Sequence, residues 1–231
     1  MFAFQLIWNS FDIKLLQYFS EKEWEIFERD NVYYIETPYT NYTSITEDWI
    51  QSHVTNRISI LNGIARLQYN DHENVQVGCF CEFLADGTIL ANLKVKDKIS
   101  WKSRMTATLS FVWETRSQIS DVEKYRIIAE KNKTVGDVLH FYENPDWWNL
   151  YKIYELIKND TGWKDAFSGY TKKISNFSWT ANNYSNIWDN ARHSHAESNK
   201  AMTNPITLLE SQELWREIIQ KWITSKINSS K

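Results

Sequence analysis

Strand-like spacing of apolar residues is confined to the chain before about residue 115, where it is interrupted by one helical stripe over 47–68, and that confinement narrows the folds open to the chain. Before residue 115, several stretches alternate apolar and polar positions, the two-residue period that sets one side of a strand against a core. After it, apolar residues recur every three or four positions, the stripe of an amphipathic helix. Strands confined to the first part argue against the repeated strand–helix alternation of a parallel α/β fold. It predicts an α+β protein. Residues 1–115 form a part with a small antiparallel sheet and a long helix, and residues 116–231 form an all-α helical bundle.

The strand signal is strongest over 75–113. Val75, Val77, Cys79, Cys81 and Phe83 fall on one face of a strand. Asp86-Gly87 follows, suited to a type I′ turn because both central residues there take positive φ. Thr88 to Val95 reads as the return strand. A third runs over 103–113, with Met105, Ala107, Leu109, Phe111 and Trp113 on one side. Phe2, Phe4, Leu6 and Trp8 alternate in a further strand, and Val32 to Ile35 form a short one stopped by Pro38. Both read as edges added to the meander. Phe11 to Arg29 reads as helix or irregular chain. Ile50, Val54, Ile58, Leu61 and Ala65 make a helical stripe over 47–68. Gly63 lies within it and points to close packing against the sheet.

Downstream, start and stop signals divide the chain into helices. Ser120-x-x-Glu123 reads as a capping box for a helix ending near Lys131, and Thr134-x-x-Asp137 as another start. Asn144-Pro145-Asp146 offers an N-cap, a proline at the first helical position and an acid in the first turn. Gly162 closes that helix, and Thr171 opens the next, with Ile174, Phe177 and Ala181 on its apolar face. Thr207-x-x-Glu210 is the clearest capping box. Its helix carries Leu208, Trp215, Ile218, Ile219 and Trp222 on one side. That face is expected to pack on the helix carrying Arg192, with Asn228 to Lys231 fraying. No Pro- or Gly-rich linker separates the two parts, so they are expected to share an interface.

Composition removes some function classes. With 6 Gly and 3 Pro in 231 residues, neither a Gly-rich nucleotide loop nor a long disordered linker is expected. A net charge of −3 carries no global signal for nucleic acid, so an RNA surface would be a local patch. Cys79 and Cys81 form a lone C-x-C pair, read as two reduced, buried strand cysteines. No metal site and no cofactor is expected. No apolar run reaches the roughly 18 residues of a membrane span, and the apolar stretch 1–8 lacks a basic flank. The chain is expected to be cytoplasmic. Twelve Trp are difficult to bury with every indole N–H bonded, so some are expected to anchor an interface, in a homo-oligomer or with a protein partner.

Ionisable groups suited to chemistry crowd together only at 190–195. Arg192, His193 and His195 are the candidate catalytic residues, and Asn182 and Asn190 the candidate substrate-binding ones. Arginine presents a planar fork to phosphate. Neutral histidine accepts a proton from a ribose 2′-hydroxyl, and its protonated form donates one to the leaving oxygen. These groups suffice for RNA cleavage without a metal. The alternative is structural: cations at a helix C-terminus meet carbonyls and the dipole, and asparagines cap helices.

An all-α C-terminal half with an Asn/Arg/His cluster on a late helix, followed by a closing amphipathic helix, resembles the HEPN superfamily of prokaryotic defence and toxin proteins. The resemblance covers residues 146–224. It implies a helical domain, dimerisation, and metal-independent ribonuclease activity from an Arg-x4-6-His motif. Here positions 197–199, counted from Arg192, are Glu, Ser and Asn, and the nearest histidines are His193 and His195. RNA is therefore the expected substrate if the cluster is catalytic. A non-enzymatic interaction module with a Trp-rich surface is the alternative.

Overall fold

Strand β1 (Phe2–Ile7) is apolar on both faces, and the sheet is built around it. The structure is a computed structural model that describes residues 1–8, 10–17, 24–38, 47–84, 88–92, 115–162, 167–183 and 205–229. In it β1 pairs antiparallel with β3 (Val32–Glu36) on one side and β4 (Gln76–Phe83) on the other. Strand β2 (Ile26–Arg29) lies outside β3, and β5 (Ile89–Asn92) outside β4, giving the order β2-β3-β1-β4-β5. The first strand is thus the centre of the sheet and not an edge. Its two apolar faces are the reason, since a central strand is covered on both sides.

Strand β2 falls in the stretch expected to be helical or irregular. Its signal was the dipeptide that follows it. Asp30 and Asn31 take φ of 54° and 61°, the positive pair that closes a tight hairpin with β3. The expected strand over 103–113 and the turn at 86–87 lie outside the described residues.

The sheet curls. Phe27 on β2 meets Phe83 on β4 with ring centroids 5.6 Å apart. Strands separated by two others would lie about 14 Å apart in a flat sheet. Tyr34 also meets Phe83 edge-on, at 5.1 Å, and the Arg29 guanidinium lies 5.4 Å above the same ring. Ala3, Tyr34, Cys81 and Phe83 form the buried centre of this concave face, with Phe27 and Cys79 packed against it. Burial, then the neighbouring Cys79, pushes the Cys81 thiol up to about 12.

Helix α1 (Ser10–Gln17) follows β1 and is anchored by polar contacts. Its Gln17 amide donates to the Ile26 carbonyl at 2.9 Å. Its buried Asp12 lies 3.0 Å from His72 Nδ1. His72, isolated in the sequence, is therefore held inside the fold by an acid sixty positions away.

Helix α2 spans Glu47–Gln68 and buries Ile50, Val54, Ile58, Leu61 and Ala65, the expected stripe. Chain contacts divide the protein into two units, residues 1–61 with 72–123 and residues 62–71 with 124–231. Gly63 belongs to the second. A Cβ at Gly63 would lie 2.1 Å from the Leu139 carbonyl oxygen. The glycine thus permits close approach to another helix backbone, and not to the sheet.

The second unit is helical. Helix α3 runs over Thr115–Lys131, so Ser120 lies within it and does not start it. Helix α4 (Lys133–Tyr142) is capped by Asn132, whose side chain accepts from Val135 N–H, two residues before the expected Thr134. Helix α5 (Trp147–Thr161) is capped by Asp146 and not Asn144, and it ends at Gly162 with φ of 63°. Both shifts have one cause: a short acceptor in extended backbone reaches the third N–H ahead of it. Helix α6 (Thr171–Asn182) buries Ile174, Phe177 and Ala181 as expected.

The last helix, α7, spans Leu208–Ser229, so Asn228 and Ser229 continue it. Its capping box forms. Thr207 N–H donates to Glu210 Oε2 at 2.8 Å, and Glu210 N–H donates to Thr207 Oγ1 at 3.2 Å. Trp215 is 0% exposed and touches Tyr154 of α5, Phe177 of α6 and Phe167 between them. Trp222 Nε1–H donates to Asp160 at 2.9 Å, and Lys226 pairs with the same carboxylate. This buried face supplies the packing that a helix of this length needs beyond its propensity.

Candidate functional site

Of the five residues singled out in the sequence, Asn182 lies within the described residues, at the last position of α6. Asn190, Arg192, His193 and His195 lie outside them. What the structure does give is the frame that holds both ends of their segment.

The segment leaves from α6. Thr180 is buried there, and its Oγ1 donates to the Asn176 carbonyl at 2.9 Å. Asn183, also buried, ends the helix in extended backbone, and its N–H reaches the Thr180 carbonyl at 3.1 Å. The chain re-enters at 205. There Ile206 N–H donates to Thr180 Oγ1 at 3.3 Å. One threonine therefore ties the exit and the return of residues 184–204 to the same end of the helical unit. Four residues after Ile206, Glu210 completes the α7 cap. The Thr207 N–H and hydroxyl hold the Glu210 carboxyl below the usual glutamate range.

Asn182 is engaged within its own unit. Its amide donates to the Ser178 carbonyl at 2.8 Å and to the Tyr151 hydroxyl at 3.5 Å. Its Oδ1 is buried and accepts no bond from the described residues.

Beside the anchor, α6 and α7 line a cleft of about 390 Å³ with Lys173, Asn176, Ile206, Glu210, Glu213 and Glu217. Three carboxylates face one ammonium. Glu217 accepts from the Tyr170 hydroxyl at 3.2 Å, and Lys221 donates to that same hydroxyl. A phosphodiester in this cleft would meet net repulsion, whereas a cationic group would be favoured.

Sequence reasoning passed over Thr180 and Tyr151. Neither carries a motif. Thr180 sits between Trp179 and Ala181 as an unremarkable helical residue, and its role appears only when Ile206 is brought beside it.

The indoles divide by helical phase. Trp147 is 8% exposed and Trp148 51% exposed, while Trp179 is 49% exposed on α6. Lys152 lies 5.6 Å from the Trp148 ring and 4.6 Å from Phe141.

Among the described residues no group of three His, Cys, Asp or Glu could hold a metal ion, and no helix is long and apolar enough to cross a membrane. No protein-family model matches the chain, and no curated protein and no solved structure matches it.

Proposed function

We propose that this chain is a cytoplasmic, HEPN-like protein of the prokaryotic defence or toxin–antitoxin kind, and that its segment 184–204 acts on RNA. The observation that supports this reading is the double anchor at Thr180, which receives Ile206 N–H and lies three residues before the departing Asn183. A rigid scaffold holding both ends of a polar segment is how loops are made precise enough for chemistry. In this reading Arg192 holds the phosphate. His193 or His195 takes the proton of the 2′-hydroxyl, and the other returns one to the leaving oxygen. Asn182 and Asn190 orient the substrate. The acidic cleft between α6 and α7 leaves phosphate contact to Arg192.

A second reading has its own observation. Trp148 and Trp179 stand half exposed on neighbouring helices of one unit. Exposed indoles of this kind anchor protein interfaces and favour a non-enzymatic module that binds a second copy of itself or another protein.

Incubation of the full chain with total RNA in EDTA separates the two. Cleavage by wild type, lost in Arg192→Ala combined with His195→Ala at unchanged melting temperature, is expected. Intact RNA with the wild-type protein refutes the enzymatic reading. Self-association lost in Trp148→Ala combined with Trp179→Ala, read by sedimentation, would then carry the second.

A further inference from the structure

The concave face of the sheet unit carries two thiols side by side. Cys79 and Cys81 are both free, and their sulfurs lie 3.7 Å apart on one side of β4. Cys79 is half-buried and so within reach of solvent, while Cys81 is 2% exposed. The Cys79 thiol donates to Gln5 Oε1 of β1 at 3.1 Å. Opposite Cys81 in the register stands Ala3, the smallest side chain on that strand. Three soft or neutral donor atoms thus gather beside a small neighbour, with Tyr34, Phe27 and Phe83 as the apolar surroundings.

Two chemistries suit adjacent thiols, and the backbone favours one. A disulfide would join Cα atoms two positions apart on an extended strand, about 6.8 Å, the far limit of disulfide geometry. A shared ion needs no such approach. Sulfur–metal bonds of about 2.3 Å drawn from sulfurs 3.7 Å apart meet at about 107°, close to the tetrahedral angle. Thiolate ligands select soft or borderline ions over magnesium or calcium.

We propose that Cys79 and Cys81 chelate one thiophilic divalent ion of the zinc and cadmium class, with Gln5 Oε1 as a third, weaker ligand. Binding replaces two S–H bonds by two metal–sulfur bonds and releases two protons to solvent, with no change of oxidation state. Among the described residues no third Cys, His, Asp or Glu completes the set. The described residues therefore leave a coordination position open, as an exchangeable ion requires and a closed structural zinc site does not.

The test is a titration of the full-length reduced chain with Cd²⁺, read by the ultraviolet sulfur-to-cadmium charge-transfer band and by proton release. The expected result is one ion and two protons per chain. Cys79→Ser and Cys81→Ser each abolish the band, and Gln5→Leu keeps it with affinity lowered several-fold. Cys79 is half-buried, so its variant is the decisive one if Cys81→Ser fails to fold. Wild type alkylated at Cys79 gives the same reading without a substitution. No band with equimolar Cd²⁺, a band retained in Cys79→Ser, or one ion shared by two chains overturns the proposal.

Discussion

In the sheet unit, Phe27, Tyr34 and Phe83 come from three strands and meet on one concave face. In the helical unit, Trp215 meets Tyr154, Phe167 and Phe177 around a single fully buried indole. Strand side chains stand on one side of a surface, so an aromatic cluster there depends on how far the sheet curls. Helices place theirs between cylinders, so one indole can touch three elements at once. The same residue types therefore cluster on one curled surface in the sheet unit and around one indole in the helical unit. The dithiol lies on that curled surface, and Asn183 and Pro205, which flank residues 184–204, belong to the helical unit.

The largest way to break this contrast is Trp215→Ala. It should cost about 3–5 kcal/mol, read by urea unfolding. A loss below about 1 kcal/mol would mean that the indole is not the centre of its unit. Phe83→Ala in the sheet should cost less, about 3 kcal/mol, because Phe83 is the smaller ring and is 6% exposed where Trp215 is 0%. Equal losses for the two variants would remove the distinction between the two clusters.

Gly63→Ala tests the helical unit through its backbone. A methyl 2.1 Å from the Leu139 carbonyl oxygen forces the helices apart. A loss of roughly 1–3 kcal/mol is expected, against the gain that alanine brings to an unconstrained helix. A more stable variant would show that α2 and α4 do not touch there.

Thr207→Ala should cost about 1 kcal/mol at neutral pH, read as a lowered melting temperature. The sign of its pH dependence follows from Glu210, whose carboxyl is held below its ordinary range in the folded chain. A depressed carboxylate contributes stability above its unfolded pKa and loses it as pH falls through the folded value. The gap between wild type and Thr207→Ala should therefore narrow below about pH 4. A gap that is constant with pH would sink the reciprocal cap. Smallest of all is Trp148→Ala, expected within about 0.5 kcal/mol although its neighbour Trp147 is buried. A large loss would place both indoles in the core.

Much of this was legible in the residues. The stripe on α2, the apolar face of α7, the box at Thr207 and Glu210, and the single face shared by Cys79, Cys81 and Phe83 are local patterns. Each is set by the geometry of one element, and each appears in the structure where it was expected. Helix starts were read less well. Asn132 and Asp146 outcompeted Thr134 and Asn144, because the cap goes to whichever short acceptor sits in extended backbone. Of the candidate site, the sequence names the residues of the segment 184–204, but not the hydrogen bonds that hold its ends.

By itself, then, the sequence determined the fold class, the α2 and α7 helices and the pairing of two thiols on one strand face, since side-chain period follows directly from backbone geometry. Only the tertiary structure decided that β1 is central, that β2 exists, that Gly63 meets Leu139 rather than the sheet, and that His72 meets Asp12. It alone brought Ile206 to Thr180, 26 positions away. These contacts join residues far apart in the chain. Nothing in a local period encodes them, because they arise from the curl of a sheet and the stacking of helices, which depend on all the elements together.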